Sequence, residues 1–173
     1  MVDFPVTLAA VNAMDSAEFV ATFGDVAEHS PWVAERAAEV RPYKSVRDMV
    51  DAFTEEVREA GPNEKLQLLR AHPDLAGKAA IAGDLAPESK NEQARAGLDT
   101  LTPDEFKRFT ELNDTYRERF GFPFILAVKG ADKNTILKSF AERVDRDPQA
   151  ELAMAIGEVT RIISFRIEDR VAP

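Results

Sequence analysis

The sequence has no cysteine. That excludes disulfides, thiolate nucleophiles and cysteine-ligated metals, and it fits a reducing compartment without proving one. Histidine is scarce: only His29 and His72 occur in 173 residues. A metal-dependent hydrolase usually draws on several histidine ligands, so two far apart give that chemistry thin support. Positive charge is short, with 22 Lys and Arg against 31 Asp and Glu and a formal net charge of −9. Phosphate backbones are held by clustered Lys and Arg, so no nucleic-acid partner is expected, although a local basic pocket could still hold an anion. No apolar run approaches the roughly 20 residues that span a bilayer. The opening MVDFPVTLAAVNAM lacks the basic start of a signal peptide, and the closing VAP is not a peroxisomal address. G-x-S-x-G, P-loop and G-x-G-x-x-G patterns are all missing. The expectation is a soluble, cytoplasmic protein with no membrane partner.

What is present is ordinary for a folded domain. Hydrophobic residues make up 45% and charged residues 31%, and the eleven Phe can help offset the entropy of ordering. The length suits one domain over 1–173 with a single core. Most of the chain reads as helices between caps. Asp15 or Ser16 caps a helix with Phe19, Val20 and Phe23 on one face, and Ser30-Pro31 opens another that carries Trp32, Val33 and Val40. Ser45 starts a helix bearing Val46, Met49, Val50, Phe53 and Val57, which ends at Gly61-Pro62. Asn63 is read as the cap of a short helix with Leu66 and Leu69, reaching His72 a turn later. Residues 73–88 read as a loop with at most a turn of helix.

Ser89-Lys90-Asn91-Glu92 and Thr102-Pro103-Asp104-Glu105 both have the form of a capping box. The second launches a long helix with Phe106, Phe109, Leu112, Asn113, Tyr116 and Phe120, stopped by Gly121. FPFILAVKG, residues 122–130, reads as one short, extended, buried segment with no obvious strand partner. Helices over 133–145 and 148–171 close the chain. The last has an apolar stripe through Leu152, Ala155, Ile156, Val159, Ile162 and Ile163, and Arg166 continues it. The fold class predicted is all-α, a bundle of about seven or eight helices.

Three polar features interrupt this pattern. His72 ends a leucine face, with Pro73 disfavouring helix at that point. Glu92 opens a helix directly after a flexible loop, and Arg166 lies in an isoleucine stripe. Buried charge is costly unless paired or used, so each is a candidate site residue. Taken singly, each also has a bland explanation. A histidine at a helix end commonly caps it, Ser89 and Glu92 can be only a cap, and Arg166 can pair with Glu158, Glu168 or Asp169. His29 in EHSPW is read as support for the helix start at Ser30-Pro31. The chemistry left by these residue types is acid–base work by a His, a Glu and an Arg without metal or nucleotide.

AHPDLAGK, SKNEQARAGLDTL and FTELNDTYRERFGFPFILAVKG, with EHSPWVAERAAEVRPY upstream, together resemble the OHCU decarboxylase family. OHCU is 2-oxo-4-hydroxy-4-carboxy-5-ureidoimidazoline, an intermediate of uric acid degradation. The resemblance runs from about residue 7 to 171. It implies an all-helical homodimer that uses no cofactor and converts OHCU to (S)-allantoin and CO2. It implies His72 and Glu92 as catalytic residues, and substrate contacts from Pro73, Ser89 and Gln93. Phe124, Ile125, Leu126, Ala127 and Val128 are expected to line the pocket, and Arg166 to meet the substrate, although Arg161 and Arg170 lie at nearby helical positions. Some family members are fused to a transthyretin-like hydroxyisourate hydrolase that makes OHCU. No such domain is read in this sequence, so that partner is expected to be a separate protein. The rival readings are a non-catalytic all-α interaction module, and a related ureide or purine-ring decarboxylase or racemase on the same scaffold.

Overall fold

The computed structural model describes residues 4–77 and 82–173. Among these the elements run in order as β1 (Val6–Thr7), α1 (Leu8–Ala13), α2 (Ser16–Phe23), α3 (Trp32–Ala37), a 3-10 turn (Ala38–Val40), α4 (Val46–Glu59) and α5 (Pro62–Ala71). They continue as α6 (Pro87–Arg95), α7 (Pro103–Phe120), α8 (Lys133–Arg143), α9 (Pro148–Arg170) and β2 (Val171–Ala172). The fold is all-α. Its one sheet among the described residues is a two-residue parallel ladder, Val6 opposite Val171 and Thr7 opposite Ala172. None of these helices is long and apolar enough to cross a membrane.

The chain divides into two compact units, Met1–Ala71 with Val159–Pro173, and His72–Glu158. In the first, Phe19 packs on Phe23, Tyr43 and Phe53 at centroid distances of 5.1, 6.2 and 5.9 Å. The helical spacing of Met49, Val50, Phe53 and Val57 puts all four on the buried face of α4, as the periodicity predicts. Ser45 caps that helix, and Asp15 forms a full capping box with Glu18 at the start of α2.

Two caps differ from expectation. Ser30 donates its hydroxyl to the Glu28 carbonyl, and α3 begins one residue after Pro31 with no side-chain cap. Asn63 lies inside α5, because Pro62 already occupies the first turn and Glu64 reaches back to the Gly61 N–H instead. The buried pair on α5 is Leu68 and Leu69, with Leu66 only half-buried.

The second unit is built on aromatic packing. Tyr116 lies 5.4 Å from Phe124 and 5.9 Å from Phe140, and Phe124 stacks on Phe140 at 3.9 Å. The Thr102–Glu105 capping box forms as its sequence predicts, and Gly121 ends α7 in the left-handed region at φ 76°. Residues 122–128 are mostly buried and belong to no strand. The loop expected over 73–88 is cut short by α6 at Pro87, and residues 78–81 lie outside the described ones. Ser89 and Glu92 therefore sit within a helix that starts earlier, capped by Ala86 with proline at its first position, and do not form a capping box.

Thr102→Ala removes the oxygen that accepts the Glu105 N–H at 3.2 Å. Urea denaturation is expected to show a loss of about 1 kcal/mol.

Three carboxyls outside the core are held below their ordinary range by their partners. Glu105 is lowered first by Lys133, Glu64 first by Arg36, and Asp132 first by the Thr135 N–H it caps. A lowered folded-state value stabilises the fold above the unfolded value, 4.5 for Glu and 3.8 for Asp, and that contribution fades as pH falls through the folded value. Melting temperature is therefore expected to decline on acidification below about 4.5, and Lys133→Ala to make the decline shallower. Scanning calorimetry from pH 7 to 3 checks both.

Candidate active site

His72 follows α5 as a bend and is 7% exposed. Pro73 explains the bend, since its ring disfavours helix at the preceding residue. The next residues form a tight turn. Ala76 has φ 51°, unusual for a residue with a Cβ. At Gly77 a Cβ would lie 2.7 Å from the Cβ of Asp74, so only glycine fits the approach.

Side chains from two helices hold this turn. The Gln93 amide of α6 accepts from the Ala76 N–H at 2.9 Å and donates to the Asp74 carbonyl at 3.3 Å. From α7, the Asn113 Nδ2 donates to the Leu75 carbonyl at 2.9 Å. Arg117 pairs with the Asp74 carboxylate at 2.6 Å.

Ser89 and Gln93 are four residues apart and both buried on α6, and Glu92 on the same side is half-buried. A cavity of about 480 Å³ adjoins this helix, lined by Ala76, Gln93, Ala94, Leu98 and Phe106 among others.

The segment expected to line the pocket is fixed by other residues. Arg143 lies over the Phe124 ring at 4.5 Å and donates to the Ile125 carbonyl at 2.7 Å. Glu158 accepts the Ala127 N–H at 2.8 Å. Leu126 is half-buried, and Val128 is buried. Behind the segment, Glu151 is fully buried and accepts from Arg143 Nε at 2.7 Å and from the Tyr116 hydroxyl at 2.5 Å. Burial, and then the Glu151 carboxylate, push the Tyr116 phenol well above its usual range.

Arg166 belongs to the other unit. It is buried there, with one guanidinium nitrogen 2.9 Å from the Glu28 carboxylate and 3.3 Å from the Val26 carbonyl. Arg170 ties down Asp25 and the Thr22 carbonyl, at 2.6 and 2.8 Å, while Arg161 is exposed beside Phe165. Arg166 and Arg170 are both buried, and the carboxylate partner is buried for Arg166 but exposed for Arg170. His29 is exposed, with φ 45°, and turns the chain ahead of α3.

Among the sequence candidates, then, Gln93 is joined directly to the turn that follows His72 and Pro73, and Ser89 and Glu92 share its side of α6. Asn113, Glu28, Arg143 and Glu151 are buried polar residues that sequence reasoning did not single out, and Glu158, named there only as a possible partner of Arg166, is buried as well. Asn113 had a visible signal, a polar residue inside the α7 apolar stripe. The pairing of Glu28 with Arg166, across 138 residues, had none.

A buried imidazole on a braced turn and a carboxyl on the neighbouring helix are the equipment of an acid–base enzyme. The family profile described as OHCU decarboxylase matches residues 12–168. The chain is 43% identical over 164 residues to the 2-oxo-4-hydroxy-4-carboxy-5-ureidoimidazoline decarboxylase of Haloferax volcanii, covering 95% of each. It is 39% identical over 163 residues to a uric acid degradation bifunctional protein of Bacillus subtilis, covering 94% of this chain and 32% of that one. A crystal structure of (S)-allantoin synthase superposes with a TM-score of 0.79 at 31% identity, covering 97% of this chain and 54% of the other. The chain belongs to the OHCU decarboxylase family.

Proposed function

We propose that this protein is a carboxy-lyase that converts OHCU to (S)-allantoin and CO2 without a cofactor. The observation that carries the proposal is the buried His72, on a turn tied to the Ser89–Gln93 helix, in a chain that matches this family from residue 12 to 168.

The substrate carries its carboxylate on a carbon next to a ring C=N. When the bond to CO2 breaks, its electron pair moves toward the imine, so the substrate is its own electron sink. The 4-hydroxyl gives up its proton as its carbon becomes a carbonyl, the former imine nitrogen takes one proton from solvent, and the ring carbon that bore the imine gains one. His72 serves the hydroxyl and carboxylate. Glu92 delivers the new proton to one face, which sets the single enantiomer. Ser89 and Gln93 meet the ureido and ring amide groups with donors and acceptors. Pro73 and the residues Phe124, Ile125, Leu126, Ala127 and Val128 form apolar wall and backbone contacts. For Arg166 the support is the family pattern, together with the suitability of a guanidinium for a bidentate grip on carboxylate.

The protein acts as a homodimer, which the family resemblance supports, in the cytoplasm, a reducing compartment that its lack of cysteine fits. A functional link to another enzyme of uric acid degradation is supported by the bifunctional relative.

Circular dichroism of the products from freshly made OHCU tests the activity. With protein present, an (S)-allantoin signal is expected to grow faster than the spontaneous background. Racemic allantoin at the uncatalysed rate would remove the proposal.

A further inference from the structure

We propose that Asn113 and Arg117 of α7, together with Gln93 of α6, are positioning residues that fix His72 by gripping the backbone just after it. This rests on the reading of His72 as catalytic.

The turn from Asp74 to Ala76 is held by side chains. Gln93 takes the Ala76 N–H and the Asp74 carbonyl, Asn113 takes the Leu75 carbonyl, and Arg117 takes the Asp74 carboxylate. Ala76 needs that grip, because a left-handed residue with a Cβ is strained and persists only where its surroundings over-determine it. The grip comes from rigid supports. Asn113 is 5% exposed and shares its helix face with Phe109, Leu112 and Tyr116, which are packed in the aromatic core. Only one end of its amide is used, since Oδ1 is buried without a hydrogen-bond partner. A polar residue kept in an apolar stripe for one bond to the Leu75 carbonyl points to local control of the turn.

Arg117 and Asp74 lead to the same reading by another route. Their side chains are 46% and 30% exposed, so their pairing adds little to global stability. What it does fix is the residue two positions after His72. Catalytic geometry is sensitive on this scale: a displacement of about 1 Å can cost up to about 10²-fold in rate.

The test compares Arg117→Met, Arg117→Lys and Asn113→Leu with the parent protein. Each is measured for kcat and KM by the chirality of product, for melting temperature, and for its histidine ring NMR signals. Having only two histidines makes the last readout direct, with exposed His29 as internal reference. Arg117→Met is expected to lower kcat up to about fivefold with KM and melting temperature unchanged, and Arg117→Lys to restore most of it. Asn113→Leu is expected to lower kcat by roughly 10- to 10²-fold. In both, the His72 ring signals shift while those of His29 stay in place. Unchanged kcat and unmoved His72 signals in Arg117→Met would overturn the proposal, even if Asn113→Leu fails to fold. So would a fall in kcat that only tracks melting temperature. His72→Asn, run alongside, separates the two levels: if it keeps stereoselective activity, the catalytic reading of His72 fails, whatever the ring signals show of the turn.

Discussion

His72→Asn is expected to lower stereoselective (S)-allantoin formation by about 10²–10⁴-fold, the usual worth of a general acid–base group. The substitution suits the site. His72 is 7% exposed, and asparagine keeps a polar side chain of smaller volume there while losing the titratable ring. The turn beyond it is held through residues 74 to 76, so the backbone has reason to stay in place. Chirality has to be followed, since OHCU also decays by itself to racemic allantoin and loss of substrate alone would hide the defect. A folded variant that forms (S)-allantoin at near-parental rates would take His72 out of the mechanism.

Arg143→Ala is expected to be the most destabilising of the substitutions considered, by about 3–5 kcal/mol in urea denaturation. Glu151 is 0% exposed and relies on Arg143 for its counter-charge. The same truncation deprives the Ile125 carbonyl of its donor and the Phe124 ring of the overlying guanidinium. An ion pair this deep adds little net stability over apolar residues of the same shape, whereas half of one is costly. The triple replacement Arg143→Met, Glu151→Leu, Tyr116→Phe is therefore expected to recover most of the loss. A loss below about 1 kcal/mol for Arg143→Ala would mean that the carboxylate finds water or a proton at small cost.

The fold was legible wherever local chemistry decides it. The stripes of α4 and α7, the caps at Asp15, Ser45 and Thr102, and the glycine stop at Gly121 all form as the residues suggest. Caps were misread where two starts compete. Pro62 and Pro87 begin their helices ahead of Asn63 and Ser89, because proline at a first position needs no N–H partner. The ladder of Val6 and Thr7 with Val171 and Ala172 was invisible, since two residues carry no period and their partners lie at the far end of the chain. Near the start of α9's stripe, Leu152 proved 39% exposed, while its neighbour Glu151 and the stripe residues Ala155 and Val159 are fully buried. Of the candidate residues, His72 and Arg166 stood out as polar interruptions of apolar faces, and each is buried. Arg117, which braces the turn, and Glu28, which holds Arg166, did not stand out, because their partners lie far away in sequence.

The single tryptophan, Trp32, lies in the unit that contains α1 to α5, with the Arg36 guanidinium 4.6 Å from its ring centre. The other unit has no indole and carries one tyrosine, Tyr116, fully buried against Glu151. The indole is confined to the first half, so its fluorescence emission follows that half alone, whereas both halves hold a buried phenol, Tyr43 in the first and Tyr116 in the second. Melting curves recorded by indole emission and by far-ultraviolet circular dichroism, which follows the helices of both halves, would coincide for a cooperative molecule and separate for one whose halves come apart in turn, with no label attached.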